Sequence, residues 1–149
     1  QVSTGAELQK YKKVMFEHST KIRVRYGETD QMGYMYYGNY AQFYEVGRVE
    51  MLRSLGMTYK SMEEDGIMMP VLEMKSKYIK PALYDEEITV KVIIDKMPAL
   101  RIHFRYELFN EQNELINIGE TTLAFIDMKR KRPCLPSKTF VDKMAEFFK

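Results

Sequence analysis

Apolar and polar residues alternate along much of the chain, and this period of two is typical of β-strands with one buried face. In the first such stretch, Thr20 to Tyr26, the side chains of Ile22, Val24 and Tyr26 fall on one face and basic side chains on the other. The alternation returns after Gly66. It predicts four more strands, over 68–80, 86–96, 100–109 and 115–127.

Several strand ends and irregularities can also be predicted. Pro81 ends the second strand, because proline lacks the amide that a sheet ladder needs. The polar run 110–113 predicts a hairpin turn. Leu100 is expected to face inward with every second residue after it. In the last strand the apolar positions change parity between Ile118 and Leu123, which predicts a bulge or kink at Gly119.

Between the first two strands the apolar period changes to that of a long helix. Asn39 is expected to cap its first turn together with Gln42, and Gly56 to end it in a left-handed conformation. The apolar face consists of Tyr40, Phe43, Tyr44, Gly47, Met51 and Leu55. Arg48 falls inside this face and needs a partner. Glu45 is the nearest candidate, so we expect a structural Glu45–Arg48 ion pair.

Shorter helices are expected elsewhere. Thr58 can cap one that runs to Asp65 and ends at Gly66. Ser137 can cap a last helix, which would carry Phe140, Met144, Phe147 and Phe148. A turn or short helix is possible over Tyr11 to Phe16. The order of elements predicts an α+β fold in which an antiparallel sheet wraps around one long helix. We expect residues 1–19 to be an N-terminal extension and 20–149 to be a single domain.

Composition excludes several classes of protein. The chain has 149 residues, which suits one domain, and its net charge of +2 is too small to predict nucleic-acid binding. Cys134 is the single cysteine, so no intrachain disulfide or thiolate zinc site is expected. No apolar run is long enough to span a membrane, and Gln1 to Lys10 lacks the apolar core of a signal peptide. A cytoplasmic location is the expectation, with no metal and no cofactor.

The loop before the long helix contains the candidate chemistry. Glu28 and Asp30 lie there among glycines and aromatic residues. No G-x-S-x-G motif accompanies them, and neither histidine lies in this loop or helix. From the spacing alone, two interpretations of Asp30 stay open. Its carboxylate either caps the loop, as aspartate often does in turns, or acts as a catalytic base.

The sequence resembles the hotdog-fold acyl-CoA thioesterases of the 4-hydroxybenzoyl-CoA thioesterase type. The resemblance covers Lys21 to Phe140, and its motif consists here of Tyr26, Glu28-Thr29-Asp30, Gly33, Tyr36-Tyr37, Asn39-Tyr40, Phe43-Tyr44-Glu45 and Arg48. It implies a hotdog fold, hydrolysis of acyl-CoA, and a homodimer or dimer-based homotetramer with sites at the subunit interface. It also implies that Asp30 is the catalytic carboxylate, with Tyr37 beside the thioester. The family's basic clamp for coenzyme A corresponds here to Lys96 and Arg101.

The chemistry can be argued independently, because a thioester carbonyl is electrophilic enough for one carboxylate to suffice. Asp30 would activate water as a general base or attack directly to form an anhydride. The oxyanion needs amide donors. Those of Tyr37 to Tyr40, including Asn39 and Tyr40, are one candidate set, and those around Met68 and Met69 are another.

The clustered methionines either fill the core or line a pocket for aliphatic acyl groups. The basic run 129–132 either meets coenzyme A phosphates or is a solvated strand end. A thioesterase for acyl carrier protein and a non-catalytic acyl-CoA-binding protein are the alternative functions. Lysines such as Lys75, Lys77 and Lys80 would suit an acidic carrier.

Overall fold

A five-stranded antiparallel sheet and one long helix dominate the structure, a computed structural model that describes residues 16–148. The large sheet has the strand order β1-β4-β5-β6-β3, and a small sheet has the order β2-β7-β8. The strands are β1 (Phe16–Arg23), β2 (Ile67–Met68), β3 (Val71–Tyr78), β4 (Glu87–Ile94), β5 (Arg101–Phe109), β6 (Leu115–Ala124), β7 (Ile126–Asp127) and β8 (Arg132–Pro133). The helices are α1 (Tyr40–Ser54), α2 (Tyr59–Glu64) and α3 (Lys138–Ala145). The expected hotdog arrangement, an antiparallel sheet around one long helix, is confirmed.

The central strands supply a large part of the core. Alternate residues of β4 and β5 are buried, as their sequence pattern predicts: Ile88, Val90, Val92, Ile94, Ile102, Phe104, Tyr106 and Leu108. Such alternation buries one face of the sheet against α1 and leaves the other face polar. The prediction for Leu100 is wrong, since this residue precedes β5 and is half exposed.

Two strand boundaries differ from the prediction. The first strand begins at Phe16 and ends at Arg23, and Tyr26 lies in a 3₁₀ turn, Tyr26–Glu28, with 78% of its surface exposed. The prediction that Tyr26 faces the core is therefore wrong. The expected strand 68–80 is divided into β2 and β3, and Pro70 lies in the gap. The helix considered for Tyr11 to Phe16 falls outside the described residues, except for Phe16 itself.

Helix α1 lies very close to β4 at Gly47. A Cβ at this position would stand 2.8 Å from Val92 Cγ2 and 2.9 Å from Val90 Cγ1, so no larger residue fits without displacement of α1. At the far end of the helix, Gly56 has a φ of +77°, which confirms the predicted left-handed end.

The predicted bulge at Gly119 is wrong. In β6 the alternate residues Asn117, Gly119, Thr121 and Leu123 are all buried, and Ser76 of β3 pairs directly with Gly119 without a shift of register. The parity changes earlier, at Ile116 and Asn117, which are both buried. The polar Asn117 side chain hides this change from a hydrophobicity pattern.

The two shorter helices begin as predicted. Thr58 Oγ1 accepts a hydrogen bond from the Ser61 amide (2.9 Å), and Ser137 Oγ accepts one from the Phe140 amide (3.3 Å). α3 ends at Ala145, so Phe147 and Phe148 follow the helix rather than lie in it. The core contains Met35, Met51, Met57, Met62 and Met144. Four of the eight clustered methionines, Met35, Met51, Met57 and Met62, therefore lie in the core, whereas Met32, Met68 and Met74 are exposed. Within residues 16–148, no helix is long and apolar enough to cross a membrane.

Candidate active site

The loop between β1 and α1 is held in a compact shape at both ends. It begins with the 3₁₀ turn Tyr26–Glu28 and ends with a second one, Tyr37–Asn39, which leads directly into α1. Isolated bridges join Thr29 to Met35 and Tyr34 to Leu83. Gly33 has a φ of +79°, a conformation that most side chains disfavour. These constraints fix the position of Asp30 in the middle of the loop.

The position of Asp30 is compatible with both interpretations that the sequence left open, a carboxylate that caps the loop and one that acts as a base. Its Oδ1 accepts hydrogen bonds from the amides of Met32 (2.9 Å) and Tyr34 (3.3 Å), so the carboxylate does stabilise the loop. The residue is nevertheless exposed, and it lines a cleft. Among the hydrogen bonds of residues 16–148, its Oδ2 has none. One carboxylate oxygen therefore holds the loop, and the other is available to a ligand.

The cleft beside Asp30 is aromatic and open to solvent. It has a volume of about 360 Å³ and is lined by Asp30, Tyr34, Met35, Tyr37, Tyr40, Tyr78, Ile79, Lys80 and Pro81. The ring of Tyr78 packs edge-on against Tyr40, with centroids 5.0 Å apart, and against Tyr37 at 6.5 Å. Burial raises the pKa of the Tyr40 hydroxyl. Such walls suit an apolar acyl group, and Asp30 and Lys80 supply the charge.

The start of α1 is built differently from the prediction. Asn39 does precede the helix, but its side chain does not cap it and forms no capping box with Gln42. Instead Asn39 Nδ2 donates to the carbonyl oxygen of Glu28 (2.8 Å). The helix is entered through the 3₁₀ turn, because Asn39 already has helical backbone angles. The predicted N-cap is therefore wrong.

Two backbone amides at this turn are available to a ligand. The Tyr37 and Gly38 N–H groups are the first in the turn and have no carbonyl behind them, and no hydrogen bond of residues 16–148 engages them. Tyr37 is 63% exposed and lines the cleft. A Cβ on Gly38 would stand 2.7 Å from the Tyr36 ring, so this position favours glycine. Free amides at the start of a helix favour negative charge.

Glu28, to which no catalytic role is assigned, is structural. Its carboxylate is buried and accepts from the Arg25 amide (2.8 Å) through Oε1. Its carbonyl oxygen accepts from the Tyr36 amide (2.8 Å) as well as from Asn39. Glu28 thus joins the end of β1 to the start of α1.

The predicted Glu45–Arg48 ion pair is wrong. Arg48 is buried, and it donates through Nε to the Tyr59 hydroxyl (3.2 Å) and through Nη1 to the Tyr106 hydroxyl (2.9 Å). Glu45 points to solvent, and no ion pair within residues 16–148 joins it to Arg48. Burial raises the pKa of both tyrosines. The partners come from α2 and β5, which helical spacing cannot reveal.

A second group of buried polar side chains lies next to the first. The Tyr44 hydroxyl donates to Asn117 Oδ1 and shares a hydrogen bond with Ser76 Oγ (2.8 Å). Asn117 Nδ2 also donates to Ser76 Oγ (2.9 Å). Burial raises the pKa of Tyr44 to about 12. These contacts attach α1 to the edge strand β3, immediately beyond the Tyr40–Tyr78 pair.

The remaining expected site residues do not line this cleft. Met68 lies in β2 and pairs with Ile126, and Met69 follows it. Lys96 and Arg101 lie at the turn from β4 to β5, whereas the Asp30 loop contacts Leu83, just before β4. Because a strand rises about 3.3 Å per residue, the length of β4 puts this turn about 23 Å from the cleft end of the sheet.

Further cations lie at the same distant end of the sheet. The turn between β7 and β8 carries Lys129, Arg130, Lys131 and Arg132, which are exposed and form no ion pair within residues 16–148. Asp127 Oδ1 accepts from the Lys129 and Arg130 amides (2.9 and 3.0 Å) and thereby shapes the turn. The Arg130 amide lowers the pKa of Asp127. We call residues 129–132 the basic hairpin.

The sequence interpretation missed five residues of the cleft wall: Tyr34, Tyr78, Ile79, Lys80 and Pro81. The last four lie at the end of β3 or just after it, and they reach the cleft only through the fold. The sequence analysis uses Pro81 only as the residue that ends a strand. An aromatic residue close to such a strand end was the signal that could have indicated a role for Tyr78 in the site. No group of residues suited to bind a metal ion occurs within 16–148.

A carboxylate and an unbonded backbone amide on the lining of one apolar cleft, here Asp30 and Tyr37, are a combination that acyl transfer can use. Residues 24–146 match the family model of the thioesterase-like superfamily. The putative acyl-CoA thioesterase YneP of Bacillus subtilis is 34% identical over 122 residues, 82% of this chain and 88% of the relative. The chain therefore belongs to the thioesterase-like superfamily, as the resemblance predicted.

Two further comparisons agree with this membership. The acyl-CoA thioester hydrolase YbgC of Escherichia coli O6:H1 is 29% identical over 126 residues, 85% of this chain and 92% of the relative. A crystal structure of a DHNA-CoA thioesterase from Staphylococcus aureus superposes with a TM-score of 0.79 and 36% identity, covering 89% of this chain and 88% of that one.

Proposed function

We propose that this protein hydrolyses acyl-CoA thioesters to a free acid and coenzyme A, with Asp30 as the catalytic carboxylate. The observation that carries the proposal is the position of Asp30, whose Oδ2 is free at the mouth of the aromatic cleft. Membership of the thioesterase-like superfamily and similarity to YneP and YbgC support the same activity. A cytoplasmic location stays a prediction of the sequence.

The reaction needs a base or nucleophile and a site for the developing oxyanion. As a general base, Asp30 takes a proton from water while the oxygen of that water bonds to the thioester carbon, and collapse of the tetrahedral intermediate breaks the C–S bond. The proton then passes from Asp30 to the departing thiolate. As a nucleophile, an Asp30 oxygen bonds to the thioester carbon, the thiolate leaves, and water cleaves the resulting anhydride in a second step. A single turnover in ¹⁸O-water separates general-base attack from an anhydride that is cleaved at the Asp30 carbonyl: the first puts one ¹⁸O atom into the product acid, and the second puts it into the Asp30 carboxylate instead.

The free amides of Tyr37 and Gly38 are the better candidates for the oxyanion site. Tyr37 lines the same cleft as Asp30, and both amides lie just before α1, at its positive end. Removal of one such donor typically costs about 10²–10³ in kcat. Met68 and Met69, the alternative set, lie in or beside the small sheet and not at this cleft. The Tyr37 ring and the backbone at Asn39 and Tyr40 then border the thioester.

We also propose that the site is completed by a second copy of the chain. β3 is an edge strand of the large sheet, and its exposed apolar residues are Val71, Leu72, Met74 and Tyr78. Such an edge is a template for pairing with another strand. Antiparallel pairing of β3 with its copy around a two-fold axis would place Val71 of one chain opposite Tyr78 of the other.

This pairing would bring the basic end of one subunit to the cleft end of the other. Val71 lies at the end of the sheet that carries Lys96, Arg101 and the basic hairpin, and Tyr78 lies at the Asp30 end. The cations would then meet the phosphates of a coenzyme A whose thioester lies at Asp30. A second function, hydrolysis of acyl groups on an acidic carrier protein, would use the same cations.

The test is thiol release from a panel of acyl-CoAs by the wild type and by Asp30→Asn. The change preserves size and removes the base, so turnover should fall by at least about 10²-fold while acyl-CoA still binds. Asp142→Asn, on exposed α3, is the matched control and should retain full turnover. Unchanged turnover in Asp30→Asn would refute the role of Asp30. Tight binding without hydrolysis by the wild type would favour an acyl-CoA-binding protein.

A further inference from the structure

The Asn39 side chain connects the two halves of the proposed catalytic apparatus. Its Nδ2 donates to the carbonyl oxygen of Glu28 at 2.8 Å, across eleven positions of the chain. Glu28 lies two residues before Asp30, and Asn39 directly follows Gly38. One hydrogen bond therefore joins the part of the loop that carries the carboxylate to the turn that carries the free amides.

The other contacts of the loop do not duplicate this bond. The Tyr36 amide also donates to the Glu28 carbonyl, but Tyr36 precedes the turn. The bridge between Thr29 and Met35 closes the loop upon itself. The Asn39 side chain joins Glu28 to the end of the 3₁₀ turn, immediately before α1. Glu28 in turn is immobilised, because its buried carboxylate is bonded to the Arg25 amide.

We propose that Asn39 is a positioning residue, whose side chain sets the separation between the Asp30 carboxylate and the Tyr37 and Gly38 amides. This inference rests on the proposed hydrolysis at Asp30. A base and an oxyanion site act on atoms bonded to the same carbon, so their separation must be held closely in the transition state. The Asn39 side chain is engaged by Glu28, and Asn39 is not among the residues that line the cleft. Asn39 does not cap the helix. In this proposal its side chain does not bind the substrate either, and instead fixes the relative positions of the catalytic groups.

The test compares two conversions of an amide to a carboxylate in the same part of the chain. Asn39→Asp keeps the shape of the side chain but turns the donor to Glu28 into a second acceptor. Gln42→Glu makes the same chemical change at an exposed position of the first turn of α1, where the glutamine side chain forms no hydrogen bond within residues 16–148. Both add a negative charge near the helix start, so their difference isolates the lost hydrogen bond.

In the acyl-CoA assay, kcat of Asn39→Asp should fall by about 10²-fold, the cost of a displacement of about 1 Å. KM should change less than about twofold, and Gln42→Glu should retain wild-type values. A kcat equal to that of Gln42→Glu, or a rise in KM alone, would overturn the proposal. Turnover by the wild type and its loss in Asp30→Asn, run in parallel, report separately on the proposed function.

Amide hydrogen exchange tests the same hydrogen bond without any substrate. Asn39→Asp should increase exchange in residues 29–38 and leave the interior of α1 protected, whereas Gln42→Glu should change neither segment. Loss of protection in α1 instead would identify Asn39 as an ordinary helix-stabilising residue and refute the positioning role. Asn39→Ser, which is smaller and uncharged, provides the same comparison should the aspartate variant fail to fold.

Discussion

The ring of Tyr44 occupies the space that a side chain at Gly119 would need. A Cβ on Gly119 would stand 2.3 Å from both Cζ and the hydroxyl oxygen of Tyr44. The ring lies flat against Tyr106, with centroids 4.2 Å apart, so it crosses the sheet from β5 over β6 to Ser76 on β3. The absence of a side chain at position 119 is what allows α1 to be attached to the edge strand.

Gly119→Ala should therefore destabilise the protein by about 1–3 kcal/mol, the usual cost of overpacking a core. The Tyr44 ring has no room to move, because it is fully buried and stacked on Tyr106. Urea unfolding measures the effect. Gly27→Ala is the control: a Cβ there meets no atom within 4 Å, so its free energy of unfolding should change by less than about 0.5 kcal/mol. Equal stability of the two variants would contradict the packing described.

Tyr106→Phe should destabilise the protein, and Glu45→Gln should not. The first change removes a hydroxyl that accepts from buried Arg48, and a buried donor left without its partner costs about 1–3 kcal/mol. The second alters an exposed carboxylate that forms no ion pair with Arg48. Chemical unfolding of both variants is the measurement. A larger loss of unfolding free energy in Glu45→Gln than in Tyr106→Phe would support the Glu45–Arg48 ion pair that helical spacing suggested.

Stability should fall steeply on the alkaline side, and Tyr44 should contribute to the fall. Burial raises its pKa in the folded state from 10.0 to about 12. A raised pKa stabilises the fold fully below pH 10, and this contribution is lost as the pH rises towards 12, because the unfolded chain releases the proton first. The free energy of unfolding, measured across this range, should decline less steeply in Tyr44→Phe. Parallel curves would show that Tyr44 ionises equally in both states.

The basic hairpin should contribute to binding of the coenzyme A part of the substrate and not to hydrolysis of the thioester bond. Arg130→Ala should raise KM for acyl-CoA, because it removes a charge available to a phosphate. The same variant should leave unchanged the hydrolysis of an acyl N-acetylcysteamine thioester, which has no phosphates. Lys21→Ala, on the outer face of β1, is the control. An equal effect of Arg130→Ala on both substrates would show that the hairpin acts on the fold instead.

Mixed dimers test whether the hairpin and Asp30 of one site come from two chains. Asp30→Asn and a variant with the hairpin cations replaced by alanine should each be weak on acyl-CoA. Unfolded and refolded together, they should regain activity, because a heterodimer would contain one site with an intact Asp30 and an intact hairpin. No recovery in heterodimers isolated by affinity tags would place both elements of a site on one chain.

The elements best predicted from the sequence are those set by local chemistry. Gly56 ends α1 with a positive φ, and Thr58 and Ser137 accept the amide bonds expected of caps. In β4 the alternation of apolar residues corresponds directly to burial. Each of these features depends on residues within a few positions of one another, so spacing alone carries the information.

The errors fall where a polar side chain finds a partner far along the chain. Asn39 bonds to Glu28 rather than to its own helix, and Arg48 bonds to Tyr59 and Tyr106 rather than to Glu45. Asn117 is buried because of Tyr44 and Ser76, a fact absent from any hydrophobicity pattern.

The site was predicted in the same uneven way. Asp30, Tyr37 and Tyr40 share one short motif, and the fold brings them to one cleft. The opposite wall comes from Tyr78, Lys80 and Pro81, which the topology of β3 brings there. Lys96 and Arg101 lie at the other end of the sheet, so within one chain they do not reach the Asp30 cleft.

At Gly47 the backbone of α1 packs directly on Val90 and Val92, with no side chain between the helix and β4. Tyr40, in the first turn of the same helix, forms part of the cleft wall. The position of this wall therefore depends on how closely α1 packs on β4 at Gly47, two helical turns away. A larger residue at position 47 would lift α1 off β4, whereas smaller residues in place of Val90 and Val92 would let it approach, so the two kinds of change should displace the Tyr40 wall in opposite directions.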